Sequence, residues 1–311
     1  MKRADPASAA GPRLDRASAL HGLAVAAMPH LRRAAAGDAQ PCVRDASEFL
    51  YAVAHVLDRR WADSGEPLHR SPAVSEAISA SVALARRCLH RACPQTISKL
   101  AGAVAAAWAP MSWLRVSTLQ PFIADLAQAV RFRHPDFNAK DVASIVVAFA
   151  KLDVVDDVVA EVMPEQVEAR ASEFLDKDLC LLLWACSRHG YVGKRCAEAA
   201  VREFQRRDLS RMAVVDVCMA SQALAKLGPS AKAALCLVAG EAFSRQLHGF
   251  STRDKALLMW SLAKSRVVHL ALCRRAALAC GLQAKEDPLT AGRGRGINYS
   301  IACTLDADSP E

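Results

Sequence analysis

From Phe137 onward, short polar starts alternate with apolar residues at helical spacing. Val142, Ile145, Phe149 and Leu152 fall on one face of a helix, and Val217, Ala220, Leu224 and Leu227 repeat that arrangement. An acid precedes each run and a base closes it, the charge order that suits a helix dipole. Second helical stretches are predicted between these runs, at about 155–174, 193–207, 230–246 and 269–282. The predicted unit is therefore a helical hairpin.

The unit repeats. FNAKDVASIVVAFAKL from Phe137, FLDKDLCLLLWACSRHG from Phe174, MAVVDVCMASQALAKLG from Met212 and FSTRDKALLMWSLAKSR from Phe250 align without gaps at two columns. The acids are Asp141, Asp178, Asp216 and Asp254; the bases ten residues later are Lys151, Arg188, Lys226 and Lys264. Both columns step by 37, 38 and 38 residues. Asn138 and Ser251 are natural N-caps, with an acid three residues on where it can reach back to open amides. The other two acids are read as caps as well. Phe137, Phe174 and Met212 are placed to staple onto Val142, Leu179 and Val217, a pattern that Lys255 breaks in the last unit. Gly190 and Gly228 read as helix stops. Looser copies lie at 45–56 and 99–110, with partner helices expected at about 72–91 and 118–132. A lone hairpin of this size leaves its apolar face exposed, whereas stacked copies share one core. The expected fold is an all-α, right-handed α-solenoid (superhelix) of about six helical hairpin repeats.

Composition supports helices over sheet. Alanine fills 62 of 311 positions and aromatic residues make up only 5%, so strand-favouring residues are scarce. The uncharged stretch from Leu100 to Leu114 has 15 residues and contains Gly102 and Pro110. A bilayer needs about 20 apolar residues, so no membrane association is expected. Eleven cysteines scattered through apolar patterns read as buried thiols in a reducing compartment, not as a disulfide framework. A net charge of +8 leans toward polyanionic partners.

Four regions follow. Residues 1–16 form a basic N-terminal segment, compatible either with an organelle transit peptide or with a frayed tail ahead of an amphipathic helix at 17–36. Residues 17–135 hold degenerate helical repeats and 136–285 the clear ones. Residues 286–311, rich in Gly, Pro, Asp and Ser, are expected to be disordered.

The clear repeats, above all FSTRDKALLMWSLAKSR with its capping serine, acid, tryptophan and closing lysine, resemble octotricopeptide and heptatricopeptide helical repeats. These occur in organellar RNA-binding proteins, among them RAP-domain and FAST-kinase-like proteins and the helical domain of RNA-editing substrate-binding complex subunit 6. The resemblance covers residues 137–282, and no RAP module is evident beyond it. It implies a mitochondrial or plastid factor in RNA processing, stability, translation or ribosomal RNA assembly, binding single-stranded RNA alone or with other subunits of a ribonucleoprotein complex.

Four residues before each base stand Val147, Trp184, Gln222 and Trp260, with Tyr51 and His55 as an upstream pair. Residues four apart share a helix face. In the functional view Lys151, Arg188, Lys226 and Lys264 neutralise phosphates while Trp184, Gln222 and Trp260 contact bases. The competing view has the tryptophans filling gaps between hairpins and the bases facing the helix dipole. Further cations at Lys194, Arg195, Arg202, Arg206, Arg207, Arg211, Arg253, Arg274 and Arg275 either extend a positive surface or form a solvated face. No nucleotide-cradling loop, zinc-spaced cysteine set or hydrolase elbow is present, so neither catalysis nor a cofactor is expected. Cys186 with His189, and Cys88 with Cys93, lack further ligands at useful spacing. The alternative function is a protein-protein interaction scaffold of armadillo or HEAT type.

Overall fold

A computed structural model describes residues 16–36, 43–56, 72–108, 118–153, 157–188 and 193–279. Among these, thirteen α-helices and no strands are found. They are α1 (Arg16–Ala36), α2 (Val43–Val56), α3 (Pro72–Cys88), α4 (Pro94–Trp108), α5 (Gln120–Arg133), α6 (Ala139–Leu152) and α7 (Asp157–Ala169). The series continues with α8 (Asp176–Cys186), α9 (Gly193–Arg206), α10 (Val214–Leu227), α11 (Lys232–Ser244), α12 (Thr252–Lys264) and α13 (Leu270–Ala279). The first 15 residues, the tail at 286–311, Gly190 and His189 lie outside the described residues, as does the side chain of His55.

The helices pack in two series. Each even-numbered helix from α2 to α12 lies against the even-numbered helix before and after it, and the odd-numbered helices from α1 to α13 do the same. Bonds within the even series join matching heights. Lys99 of α4 pairs with Glu48 of α2 at 2.7 Å, the Ser98 hydroxyl donates to Asp141 of α6 at 2.7 Å, and Ser221 of α10 meets Ser261 of α12 at 3.4 Å. Neighbouring even helices therefore run in the same direction. Their apolar stripes merge with those of the odd helices into one cluster holding Phe122, Phe149, Leu183, Phe204 and Leu235, all fully buried.

Local chemistry sets the helix starts. Asn138 accepts a hydrogen bond from the Asp141 amide at 2.9 Å, and Ser251 and Asp254 form a full capping box. The α8 and α10 starts differ from expectation. Leu175 and Ala213 stand in the cap positions with no side-chain bond, so Asp178 and Asp216 are not capping-box members. Neither residue carries an oxygen that Asp178 or Asp216 could answer. Gly228, at φ 86°, ends α10 where an L side chain would be strained.

Two odd helices, α3 and α7, end before the bounds that periodicity predicts, while α5 and α9 end within one residue of theirs. α3, α5, α7 and α9 each tighten into a 3-10 turn, at Leu89–Arg91, His134–Asp136, Ala171–Glu173 and Leu209–Arg211. The next residue in each case, Ala92, Phe137, Phe174 or Met212, is extended and buried. The turn thus drives an apolar side chain inward immediately before an even helix begins, worth about 1.5–3 kcal/mol for a large side chain.

Four arginines tie these turns together. Arg133, Arg170, Arg207 and Arg245 recur at intervals of 37, 37 and 38 residues, just past or at the end of successive odd helices. Each reaches back one unit to carbonyls at the preceding turn. Arg133 donates to Ala92 at 3.2 Å, Arg170 to Phe137 at 2.7 Å and Pro135 at 3.1 Å, and Arg207 to Ser172 at 3.3 Å. Arg245 donates to Leu209. A 3-10 turn leaves carbonyls without helical partners, and the guanidinium fork supplies donors to match. Arg207 and Arg245 are themselves held by Glu203 at 2.8 Å and Glu241 at 2.6 Å, one turn earlier on the same helix.

Candidate nucleic-acid interface

Because even helices are stacked in parallel, equivalent positions form rows across them. The ninth residue past the one preceding each helix is Gly102, Val147, Trp184, Gln222 and Trp260 in α4, α6, α8, α10 and α12. The thirteenth is Ala106, Lys151, Arg188, Lys226 and Lys264. Lys151, Lys226 and Lys264 lie in the last turns of their helices and are exposed. Arg188 sits two residues beyond the end of α8, not in its last turn, and is half-buried.

The aromatic and cationic rows pair up. The Arg188 guanidinium lies 5.3 Å from the Trp184 ring centroid, and the Lys264 ammonium lies 4.9 Å from that of Trp260. Trp184 is half-buried and packs on the core, whereas Trp260 keeps 41% of its surface exposed. Gln222 is half-buried and Val147 is buried. The two tryptophans thus divide between the two expectations: Trp184 contributes to packing, and Trp260 presents its ring to solvent.

Among the described residues, none of Lys151, Arg188, Lys226 and Lys264 is ion-paired with a carboxylate. The odd helices contrast sharply. Arg195 pairs with Glu168 at 2.7 Å, Arg202 with Glu168 at 3.8 Å, Lys194 with Glu198 at 3.7 Å, and Arg206 with Glu203 at 3.9 Å. Arg207 serves the turn staple, and Arg275 lies over Phe243 at 5.3 Å. The expected broad positive surface therefore narrows, because many of its members have their charge matched locally. Lys151, Arg188, Lys226 and Lys264 keep unmatched charge at the C-terminal edge of the even helices, and Lys140, Lys177, Arg211 and Arg253 also have no ion pair among the described residues.

At the N-terminal edge the charges alternate. Burial pushes the carboxyls of Asp178 and Asp216 up, opposed by Lys140 and Lys177 beside Asp178 and by Lys177 beside Asp216. Between the edges, α4, α6 and α8 leave an open depression of about 180 Å³. Gly102, Ala105, Val147 and Leu181 line it together with Lys151 and Asp178. Gly102 and Val147, the ninth-row residues of α4 and α6, both line it, whereas α8 and α12 carry tryptophan in that row.

Sequence reasoning missed the arginine staples, although their spacing carries the repeat period. It also missed the depression, since two small residues on different helices give no local signal. Among the described residues, no group of three or more His, Cys, Asp or Glu side chains is placed to hold a metal ion. No described helix is long and apolar enough to cross a membrane. No protein-family model matches the chain, and no curated protein matches it.

Proposed function

We propose that the two helix series wind into a right-handed solenoid and that the chain binds single-stranded RNA along the C-terminal edge of its even-numbered helices. The observation that carries this proposal is the row of Lys151, Arg188, Lys226 and Lys264, which no carboxylate neutralises among the described residues. Cations at one edge of parallel helices track a phosphate backbone, and adjacent aromatic faces offer stacking surfaces. Gln222 supplies both donors and an acceptor to a base edge. The likeness of the repeats to octotricopeptide units supports a role in mitochondrial or plastid RNA processing or ribosomal RNA assembly, without catalysis of its own.

Filter binding of labelled single-stranded RNA to the full chain tests this. Saturable binding is expected, and Lys151→Glu, Lys226→Glu and Lys264→Glu together abolish it. Reversing Lys194, Arg202 and Arg206 on α9 leaves it largely intact. Retained affinity in the first variant overturns the assignment. Absence of RNA binding together with a tight protein partner favours a scaffold role, to which exposed Leu175 and Val215 at the starts of α8 and α10 would contribute.

A further inference from the structure

The depression between α4, α6 and α8 combines three features that suit one kind of ligand. Its lining is mostly apolar, with Gly102, Ala105, Val147 and Leu181 beside the Ser144 hydroxyl, and accepts a flat ring. Lys151 supplies a cation that forms no ion pair among the described residues. Asp178 supplies a carboxylate, an acceptor-only group. Unlike Asp141 and Asp254, whose oxygens are used by Ser98 and Ser251, Asp178 makes no side-chain hydrogen bond among the described residues. Lys140 and Lys177 act on it electrostatically, and both offset the repulsion it would exert on a polyanion.

From this we infer that the depression is a nucleobase pocket selective for guanine, with Lys151 on the nucleotide's phosphate and Asp178 accepting from its Watson-Crick edge. The inference rests on the RNA-binding proposal and deepens it. Guanine alone among the four bases presents two adjacent N–H donors, N1–H and the 2-amino group, which a carboxylate accepts side by side. Adenine and cytosine offer one amino donor at that edge, and uracil sets its single N–H between two carbonyl acceptors that a carboxylate repels. Unstacked bases of single-stranded RNA expose that edge, and side chains read it there. The pocket also explains the row that contains it. Where α12 offers a tryptophan to a base, α4 and α6 offer a space of comparable use.

Filling the space tests the inference. A Cβ at Gly102 meets no atom within 4 Å, so Gly102→Leu places its side chain in the hollow and favours the helix. Fluorescence anisotropy on the full chain would compare a uridine oligonucleotide with the same length carrying interspersed guanosines, and with inosine in their place. Wild type is expected to bind the guanosine RNA about five-fold or more tightly than the uridine RNA, as hydrogen bonds to a charged group allow. Inosine, lacking the 2-amino group, gives up part of that gain. Gly102→Leu and Asp178→Asn each remove the preference while uridine RNA binds as before and the thermal melt is retained. Val147→Trp provides an independent filling variant.

Two results overturn the pocket while leaving RNA binding in place: equal affinity of wild type for all three RNAs, or an unchanged guanosine preference in both filling variants. Displacement of a bound aromatic peptide by Gly102→Leu without any effect on RNA also overturns it. If no RNA binds to wild type at all, the proposed function fails first and the pocket falls with it.

Discussion

Lys264 places its ammonium 4.9 Å from the centroid of the Trp260 ring, one helical turn back on the same exposed face of α12. The pair does two things at once. It orders a long cation at the helix end, and it keeps an aromatic face beside that cation. An exposed cation-π contact contributes about 0.5–1 kcal/mol. Trp260→Ala and Lys264→Ala are each expected to lower stability by no more than about 1 kcal/mol in urea unfolding. Both are expected to weaken RNA binding several-fold. A large loss of stability from Trp260→Ala would mean that the ring is a packing element.

The arginine staples make a different prediction. A hydrogen bond to a charged group contributes about 1.5–3 kcal/mol, and Arg170 donates to two carbonyls. Arg170→Met should therefore destabilise by about 2 kcal/mol or more in chemical denaturation. Arg207→Met should cost about 1.5–3 kcal/mol, because it removes the 2.8 Å partner of Glu203, whose side chain is only 7% exposed, and leaves it Arg206 at 3.9 Å. Adding Glu203→Gln to Arg207→Met should restore a measurable part of the loss. Equal stability of the single and double variants would show that Glu203 does not depend on Arg207.

Two helix starts are open to improvement. Leu175 (φ −68°, ψ 154°) and Ala213 (φ −64°, ψ 146°) already hold the extended backbone of an N-cap but supply no oxygen. Leu175→Ser and Ala213→Ser should each raise stability by about 0.5–2 kcal/mol, and Asn138→Ala should lower it by a similar amount. Thermal unfolding of the three variants checks the signs.

Asp216 gives a pH dependence of defined sign. Burial is the main cause of its raised pKa, Asp176 adds to it, and Lys177 opposes both. A folded-state pKa above the ordinary 3.8 means that the folded chain takes up this proton more readily than the unfolded one. Its cost to stability is thus present at neutral pH and disappears as pH falls through the raised value. Asp216→Asn should be at least as stable as wild type at pH 7, with the difference closing toward pH 4. A variant that gains relative to wild type as pH falls would contradict the shift.

Thiol chemistry separates surface from core. Cys93 is exposed, and its hydrogen bond with Thr96 lowers its pKa. Cys218 is buried, and desolvation followed by the Asp254 charge pushes it up to about 12. Cys186 and Cys196 are buried with their sulfurs 3.6 Å apart. A thiol-reactive reagent should modify Cys93 and Cys236 promptly in the native protein, while Cys180, Cys196 and Cys218 react only on unfolding, as peptide mass mapping would show.

Much of this architecture was legible in the sequence because it is written in local rules. Asn138, Ser251 and Gly228 act where their chemistry predicts, and Phe137, Phe174 and Met212 turn inward as the staple pattern requires. What stayed hidden depends on neighbours from other units. Arg195 looked like one more surface cation until Glu168, 27 residues earlier, neutralised it. The role of Arg170 depends on the carbonyls of Pro135 and Phe137, in a turn of the preceding unit that carries no periodic signal. The aligned bases were visible as a column; their lack of carboxylate partners was not.

The most direct test of the account is the salt dependence of RNA affinity. Four neutralised phosphates predict a slope of log affinity against log salt of about −3, and loss of each basic side chain from Lys151, Lys226 or Lys264 should reduce it by about 0.7. A flat response, or a slope unchanged in the three alanine variants, would contradict the assignment of these residues to the RNA backbone.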